Sequence, residues 1–286
     1  MLLLKMSLQK MNKAKSVKII KLHGDTSHQM DDFVAVEEPL QITVDGVPIA
    51  VVMRTIGDDA DLVRGFLITE GIIASVASIS RIDLEQKQNH ALVFLKDDVE
   101  VDLARLQRNL YSASSCGICG KASMDEVFLQ IHPDNQCELN ETKSAFSISC
   151  SALKEAPHKL KQSQDVFEQT GGLHAAGLFN DAGDLLMIRE DVGRHNAIDK
   201  VIGSAFVEGI DLRMTAMQLS GRVSFEVIQK ALMVGIPLVS AISAPTSLAI
   251  EFAERGKLTL VGFMRGDKMN VYSGSEKITD TEVTSA

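Results

Sequence analysis

Tryptophan is absent from the chain and tyrosine occurs only twice. That leaves little aromatic surface on which the bases of a single strand could stack. The net charge of −9 points the same way, since nucleic-acid binders carry basic surfaces; no nucleic-acid partner is expected. Long apolar runs are also missing. None approaches the roughly 18 residues that span a bilayer, and Leu2, Leu3 and Leu4 before Lys5 are too few for the apolar region of a secretory signal. The chain therefore reads as cytoplasmic, with no membrane partner. Cysteine is scarce: Cys116, Cys119, Cys137 and Cys150 are the four. Disulfide stapling is not expected in a large cytoplasmic chain. Without a second closely spaced pair, no structural zinc is expected either. Acidic residues are missing from positions 1–21, which hold Lys5, Lys10, Lys13, Lys15, Lys18 and Lys21; residues 1–29 read as a flexible basic arm.

Apolar residues are plentiful, at 45% of 286, enough for a sizeable core divided over one large or two ordinary domains. Residues 38–54 alternate around Asp45-Gly46, a hairpin signal. In the next segment Leu62, Phe66, Leu67 and Ile73 recur at helical spacing behind an acidic first turn. Residues 79–84 and 91–95 read as short strands, completing a small α+β unit over 30–150. From about residue 160 a regular alternation begins. A helix is predicted over 160–169, strands over 173–179 and 185–189, a helix over 194–207 and a strand over 213–219. Helix 223–234, strand 237–242, helix 246–255 and strands 258–264 and 269–273 follow. This pattern predicts an α/β domain over 151–286, a mixed, largely parallel sheet with helices on both faces.

Two stretches carry chemistry. The loop at 107–122, QRNLYSASSCGICGKA, holds Cys116 and Cys119 among small residues. Gly117 and Gly120 remove bulk beside both sulfurs, Lys121 adds a positive charge, and the capping box SMDE at 123–126 opens a helix whose positive end faces the loop. These features favour a reactive thiolate. A zinc half-site, a thioredoxin-like redox pair and a mobile sulfur carrier all remain open on this motif alone. The second stretch is a set of four loops, EDVGRHN at 190–196, SGRVS at 220–224, SAPTS at 243–247 and FMRGDK at 263–268. In a parallel sheet they would share the carboxyl edge, where open α/β sheets bind ligands. Arginines, hydroxyls and helix N-termini there point to an anionic, nucleotide-containing ligand. Arg194, His195, Arg222, Ser243 and Thr246 are the candidate contacts, with His174 beside Gly171 and Gly172 as a lesser one. The element order resembles the cytidine deaminase fold. The zinc-site Glu is missing after His195, however, and SGRVS stands where PCxxC belongs, so deamination is not expected.

The motifs EEPLQITVDGV, GFLITEGII, SSCGICGKAS, TGGLHAAGLF, EDVGRHNAIDKVIG, LSGRVSFE, SAPTSLAIE and GFMRGDKMNVY, running from about 37 to 273, are similar to those of the formate dehydrogenase accessory sulfurtransferases, the FdhD/NarQ family. The resemblance implies a sulfurtransferase that takes sulfur from a cysteine desulfurase as a cysteine persulfide and passes it to molybdenum cofactor, bis molybdopterin guanine dinucleotide. That transfer would mature the formate dehydrogenase apoenzyme. It implies Cys116 as carrier with Cys119 assisting, and Phe263, Met264, Arg265, Gly266, Asp267 and Lys268 as the cofactor-binding stretch. GDP or GMP would be a binding mimic. A homodimer and a cytidine deaminase-like C-terminal domain are implied as well. A cofactor-binding chaperone without catalysis and a dithiol oxidoreductase are the rival readings.

Overall fold

The computed structural model describes residues 13–99, 101 and 146–280. The cysteine loop with Cys116 and Cys119, the capping box after it and Cys137 lie outside the described residues. Residues 14–29, assigned above to a basic arm, are instead strand: β1 (Ala14–His23) pairs antiparallel with β2 (Thr26–Ala35) around Gly24, whose φ is +58°. Lys18 stands opposite Asp31 in the register, so the basic strand is partly neutralised by its partner.

The N-terminal unit is a four-stranded sheet in the order β4-β3-β6-β5, built from β3 (Glu38–Val44), β4 (Val47–Arg54), β5 (Ile79–Asp83) and β6 (His90–Leu95). Asp45 and Gly46 both have positive φ, 45° and 81°, as a two-residue turn of type I′ requires. Helix α1 (Asp59–Thr69) connects β4 to β5 and buries Leu62, Val63, Phe66 and Leu67.

The C-terminal unit contains β7 (Ile148–Ser149), α2 (Cys150–Gln162), α3 (Asp165–Thr170), β8 (His174–Phe179), β9 (Leu185–Asp191), α4 (Arg194–Glu208), β10 (Ala216–Leu219), α5 (Phe225–Met233), β11 (Leu238–Ala241), α6 (Ser247–Arg255), β12 (Thr259–Arg265), β13 (Lys268–Ser273) and β14 (Ile278–Thr279). The single helix expected over 160–169 is two. The Ser149 hydroxyl accepts the Ala152 N–H at 3.1 Å and starts α2 early, and Leu153, Ala156 and Leu160 form its buried stripe. Pro157 and the polar residues around it obscured that stripe in the sequence. Glu190 begins α3 anew by accepting the N–H groups of Val166 and Phe167 at 3.1 and 2.9 Å.

Six strands form the main sheet in the order β13-β12-β11-β10-β8-β9. It is mixed rather than largely parallel. Only β10/β11 and β11/β12 pair in parallel; β8/β9, β8/β10 and β12/β13 are antiparallel. The hairpins β8–β9 and β12–β13 have connections too short for a parallel crossover. The three crossovers from β9 to β12 all step in one direction, which puts α4, α5 and α6 on one face. Helix α2 covers the other, with Leu153, Ala156 and Leu160 against Ala175, Phe179, Leu238 and Val261.

One core joins the two units: Leu40, Ile42, Leu62 and Val93 belong to the same cluster as Ile198, Val201, Ile228 and Phe252. Helices α1 and α4 cross at two glycines. A Cβ at Gly65 would lie 1.9 Å from the Asp199 carbonyl oxygen, and one at Gly203 2.0 Å from that of Asp61. Beside the crossing, buried Lys230 donates to Asp199 at 2.9 Å and to Glu70 at 2.9 Å. The two carboxylates hold its ammonium charged, with its proton affinity well above that of an ordinary lysine. No helix among the described residues is long and apolar enough to cross a membrane.

Candidate functional site

Strands β9, β10, β11 and β12 run in one direction, so their carboxyl ends share an edge. The antiparallel β8 starts at that edge, with His174 in register with Asp191. The four loops singled out in the sequence all leave the sheet there. Their backbones are joined into a continuous rim. Ser220 N–H donates to the Ala175 carbonyl at 3.1 Å, and Ala175 N–H donates to the Ser220 hydroxyl at 2.8 Å. Val223 N–H donates to Ala244, Thr246 N–H donates back to Val223, and Phe263 N–H donates to Ser243, all at 3.0 to 3.1 Å. Helices α4, α5 and α6 begin at this rim, aiming the positive ends of their dipoles at it.

The first rim loop is held from below by the N-terminal unit. Asp191 is fully buried and lies 2.7 Å from Nζ of Lys200, which also donates to the Thr55 carbonyl at 2.7 Å. The same carboxylate accepts the N–H groups of Thr55 and Gly193 and the side-chain amide of Asn196. Asn196 reaches on to the Met53 carbonyl at 2.7 Å. The end of β4 thus fixes the turn that carries Arg194 and His195.

Arg194, His195 and Arg222 share the rim with His174 and act on its charge. Burial lowers the proton affinity of the His174 imidazole, and Arg194, His195 and Arg222 lower it further against the opposing pull of Asp191. Nε of Arg194 is buried without a hydrogen-bond partner among the described residues. Nε2 of His195 lies 3.3 Å from Ser224 Oγ and 3.2 Å from Glu226 Oε2, and the Ser224 hydroxyl donates to Glu226 at 3.0 Å. The hydrogen bond from His195 outweighs burial and holds the Glu226 carboxyl below the usual glutamate range.

The other end of the rim is the β12–β13 hairpin. Arg265 pairs with Lys268 across a turn in which Gly266 has φ +55°. Arg265, Asp267 and Lys268 are exposed. Phe263, a non-glycine residue at φ +53°, shows 39% of its surface to solvent. Met264 is 3% exposed and packs into the core beneath β12, so its side chain is directed away from the rim. The Thr246 hydroxyl caps α6 by accepting the Ala249 N–H at 3.3 Å. From β12 to β8 the rim spans three strand spacings, roughly 14 Å.

The structure thus brings Arg194, His195, Arg222, Ser243 and Phe263–Lys268 to one edge, while Cys116 and Cys119 fall outside the described residues. Glu226 and Lys200 escaped the sequence reading. Lys200 stands out in retrospect as a charge among Ala197, Ile198, Val201 and Ile202, and Glu226 as a carboxylate in the first turn of a helix that leaves an arginine-bearing loop.

The sequence pattern of the FdhD/NarQ family matches residues 35–279. Among curated relatives, the sulfur carrier protein FdhD of Streptomyces coelicolor is 41% identical over 270 residues, covering 91% of this chain and 94% of the relative. The protein of the same name from Saccharolobus solfataricus is 41% identical over 271 residues, covering 93% and 98%. Among solved structures, one from Desulfotalea psychrophila, described as a candidate formate dehydrogenase accessory protein, superposes with a TM-score of 0.73 at 25% identity, covering 93% of this chain and 99% of the other. With matched residues running from the end of β2 through β14, the chain belongs to the FdhD/NarQ family.

Proposed function

We propose that this protein is a cytoplasmic sulfur carrier for formate dehydrogenase maturation. In this reading Cys116 thiolate attacks the terminal sulfur of a persulfide on a cysteine desulfurase. A new S–S bond forms at Cys116 as the donor's S–S bond breaks, and the desulfurase leaves as its thiolate. Cys119 assists or exchanges. The acceptor is molybdenum cofactor, bis molybdopterin guanine dinucleotide, lying along the rim and destined for the formate dehydrogenase apoenzyme. The naming of the relatives as sulfur carriers supports the first half of this reading. The joined rim, cationic at both ends, carries the second: Arg194, Arg222 and His195 at one end and Arg265 and Lys268 at the other suit the phosphates of an elongated dinucleotide. Phe263 offers a face for a flat heterocycle. The strand order and the three helices on one face favour classing the C-terminal unit with the cytidine deaminase-like folds. A homodimer belongs to the same reading.

The test is formate dehydrogenase activity in a strain lacking the protein, complemented with wild type, Cys116→Ala, Cys119→Ala or the double variant, together with the mass of the purified protein after incubation with desulfurase and cysteine. A gain of one sulfur atom at Cys116, and loss of maturation in Cys116→Ala that still binds GDP, is the expected result. Full maturation by the double variant would instead mark a cofactor chaperone. Loss of two hydrogens with turnover of disulfide substrates would mark a dithiol oxidoreductase.

A further inference from the structure

His174 stands at the cationic end of the rim and has no part in the reading above. It opens β8, and a Cβ built at Gly221 would lie 3.2 Å from its Nδ1 and 3.4 Å from its Cε1. The imidazole is thus packed edge-on against the start of the 220–224 loop. The charges facing it come from three elements: Arg194 and His195 from α4, Arg222 from the loop after β10, and Asp191 from β9. The one carboxylate in this set is already engaged by Lys200 at 2.7 Å and by three N–H donors. The two guanidinium groups stay charged at any physiological pH. Protonating His174 in the free protein would place a further positive charge among them in a half-buried position, and both burial and the neighbouring cations resist this. An arriving polyphosphate reverses that balance, because its negative charge meets the same cations and gives the imidazolium a partner.

We propose that His174 couples ligand binding to proton uptake: it is neutral in the free protein and becomes protonated when a diphosphate group lies between Arg194 and Arg222, so that a nucleoside-diphosphate ligand and a proton bind together. Linkage makes the effect reciprocal. The ligand raises the proton affinity of His174, and a fall in pH raises the affinity for the ligand. The preferred ligand class is a multiply charged phosphate, since a single carboxylate supplies too little charge to offset the two arginines and an imidazolium. The inference rests on the rim-binding reading under Proposed function.

The experiment is isothermal titration calorimetry of the full chain with GDP at pH about 7, in two buffers of different ionisation enthalpy, which counts the protons exchanged. Wild type is expected to take up a proton fraction approaching one. Its affinity is then expected to fall by up to about tenfold per pH unit where that uptake is complete. His174→Gln is expected to lose the uptake and the corresponding part of the pH slope. GDP binding to wild type without proton uptake overturns the coupling and leaves the rim-binding reading standing. Absence of GDP binding overturns both. Uptake that persists in His174→Gln places the proton on another group and overturns the proposal. Should His174→Gln fold poorly, the wild-type protein still decides by NMR: the His174 imidazole titration midpoint must rise when GDP is added, and an unmoved midpoint overturns the proposal.

Discussion

Removing Lys200 or Asp191 should damage the protein unequally. Breaking a buried ion pair by deleting one partner costs about 3–5 kcal/mol, mostly because the survivor is left charged and unsatisfied. The survivors differ here. After Lys200→Met, Asp191 keeps three N–H donors, those of Thr55, Gly193 and Asn196. The cost should fall near the lower end, about 3 kcal/mol. After Asp191→Ala, those three donors lose their acceptor and Lys200 keeps only the Thr55 carbonyl. The cost should reach the upper end, about 5 kcal/mol. In the double variant no unpaired charge remains, so its cost should be smaller than the sum of the two by about 2 kcal/mol.

Guanidinium unfolding of wild type, both single variants and the double, followed by circular dichroism, gives all four free energies. In thermal melts the Lys200→Met loss corresponds to roughly 6–12 °C. A single-variant cost below about 1 kcal/mol, or strict additivity, would refute the view that this pair fastens the rim loop to the N-terminal unit. The pH dependence supplies a second check. Burial holds the Lys200 ammonium below its ordinary value of 10.5 in the folded state. Between the lowered value and 10.5 the unfolded chain therefore binds more protons than the folded one, and stability rises with pH across that window. Lys200→Met should abolish this rise.

Gly203→Ala should lower stability by about 3 kcal/mol or more in the same unfolding assay, because its methyl group would meet the α1 backbone and α1 and α4 would have to separate; a loss under about 1 kcal/mol would mean the helices slide apart freely. Glu226→Gln should leave a protein whose stability falls less steeply in acid. The folded-state carboxyl lies below 4.5, so its contribution is full above that value and disappears as pH falls through the lowered one. Urea midpoints of wild type and variant should therefore converge at acid pH. Phe263→Gly should be more stable than Phe263→Ala by about 1 kcal/mol, since both delete the ring and only alanine is penalised at positive φ; equal stabilities would mean that the backbone relaxes there. Both variants should bind GDP about tenfold more weakly than wild type, while pyrophosphate binding, measured by calorimetry, stays within about twofold.

Much of the fold could be read from periodicity alone. The Asp45-Gly46 hairpin and helices α1, α4, α5 and α6 lie within a few residues of their expected positions, because each pairs a clear apolar period with a marked boundary. The Asp45-Gly46 turn bounds the hairpin, an acidic first turn opens α1, and the Thr246 cap and Gly256 bound α6. The misreadings have separate physical causes. Strand direction is a property of the connection: the turn Asn180-Asp-Ala-Gly183 already marks β8 and β9 as a hairpin in the sequence, whereas an alternation of strands and helices does not reveal that the short turn at Gly266 makes β13 antiparallel to β12. Only the last residues of α2 are legible in the sequence, because Pro157 interrupts a stripe that Leu153, Ala156 and Leu160 sustain through tertiary packing. The rim loops could be named in advance because they follow strand ends, and strand ends are marked in sequence. What could not be read were the long-range partners: nothing local announces that Asp191 reaches Thr55, 136 residues away, or that His195 meets Glu226.

The conformation of Phe263 follows from the rim itself. Gly262 sits where a Cβ would come within 2.9 Å of the Pro245 ring and 3.1 Å of the Ser243 carbonyl oxygen, so β12 is pressed against the 243–247 loop. The next N–H, that of Phe263, is committed to that same carbonyl at 3.1 Å. With its N–H held on one side and Met264 drawn into the core on the other, the residue between them has little freedom left. Its positive φ marks where these two demands meet. Such strain costs of order 1–3 kcal/mol and persists only where the surroundings over-determine it. Glycine would meet both demands without strain, yet the position holds a large aromatic side chain that buries only part of its surface. The 39% of its surface left in solvent is what the proposed function assigns to a heterocycle on the ligand, and the Phe263→Gly and Phe263→Ala pair separates that role from the backbone strain.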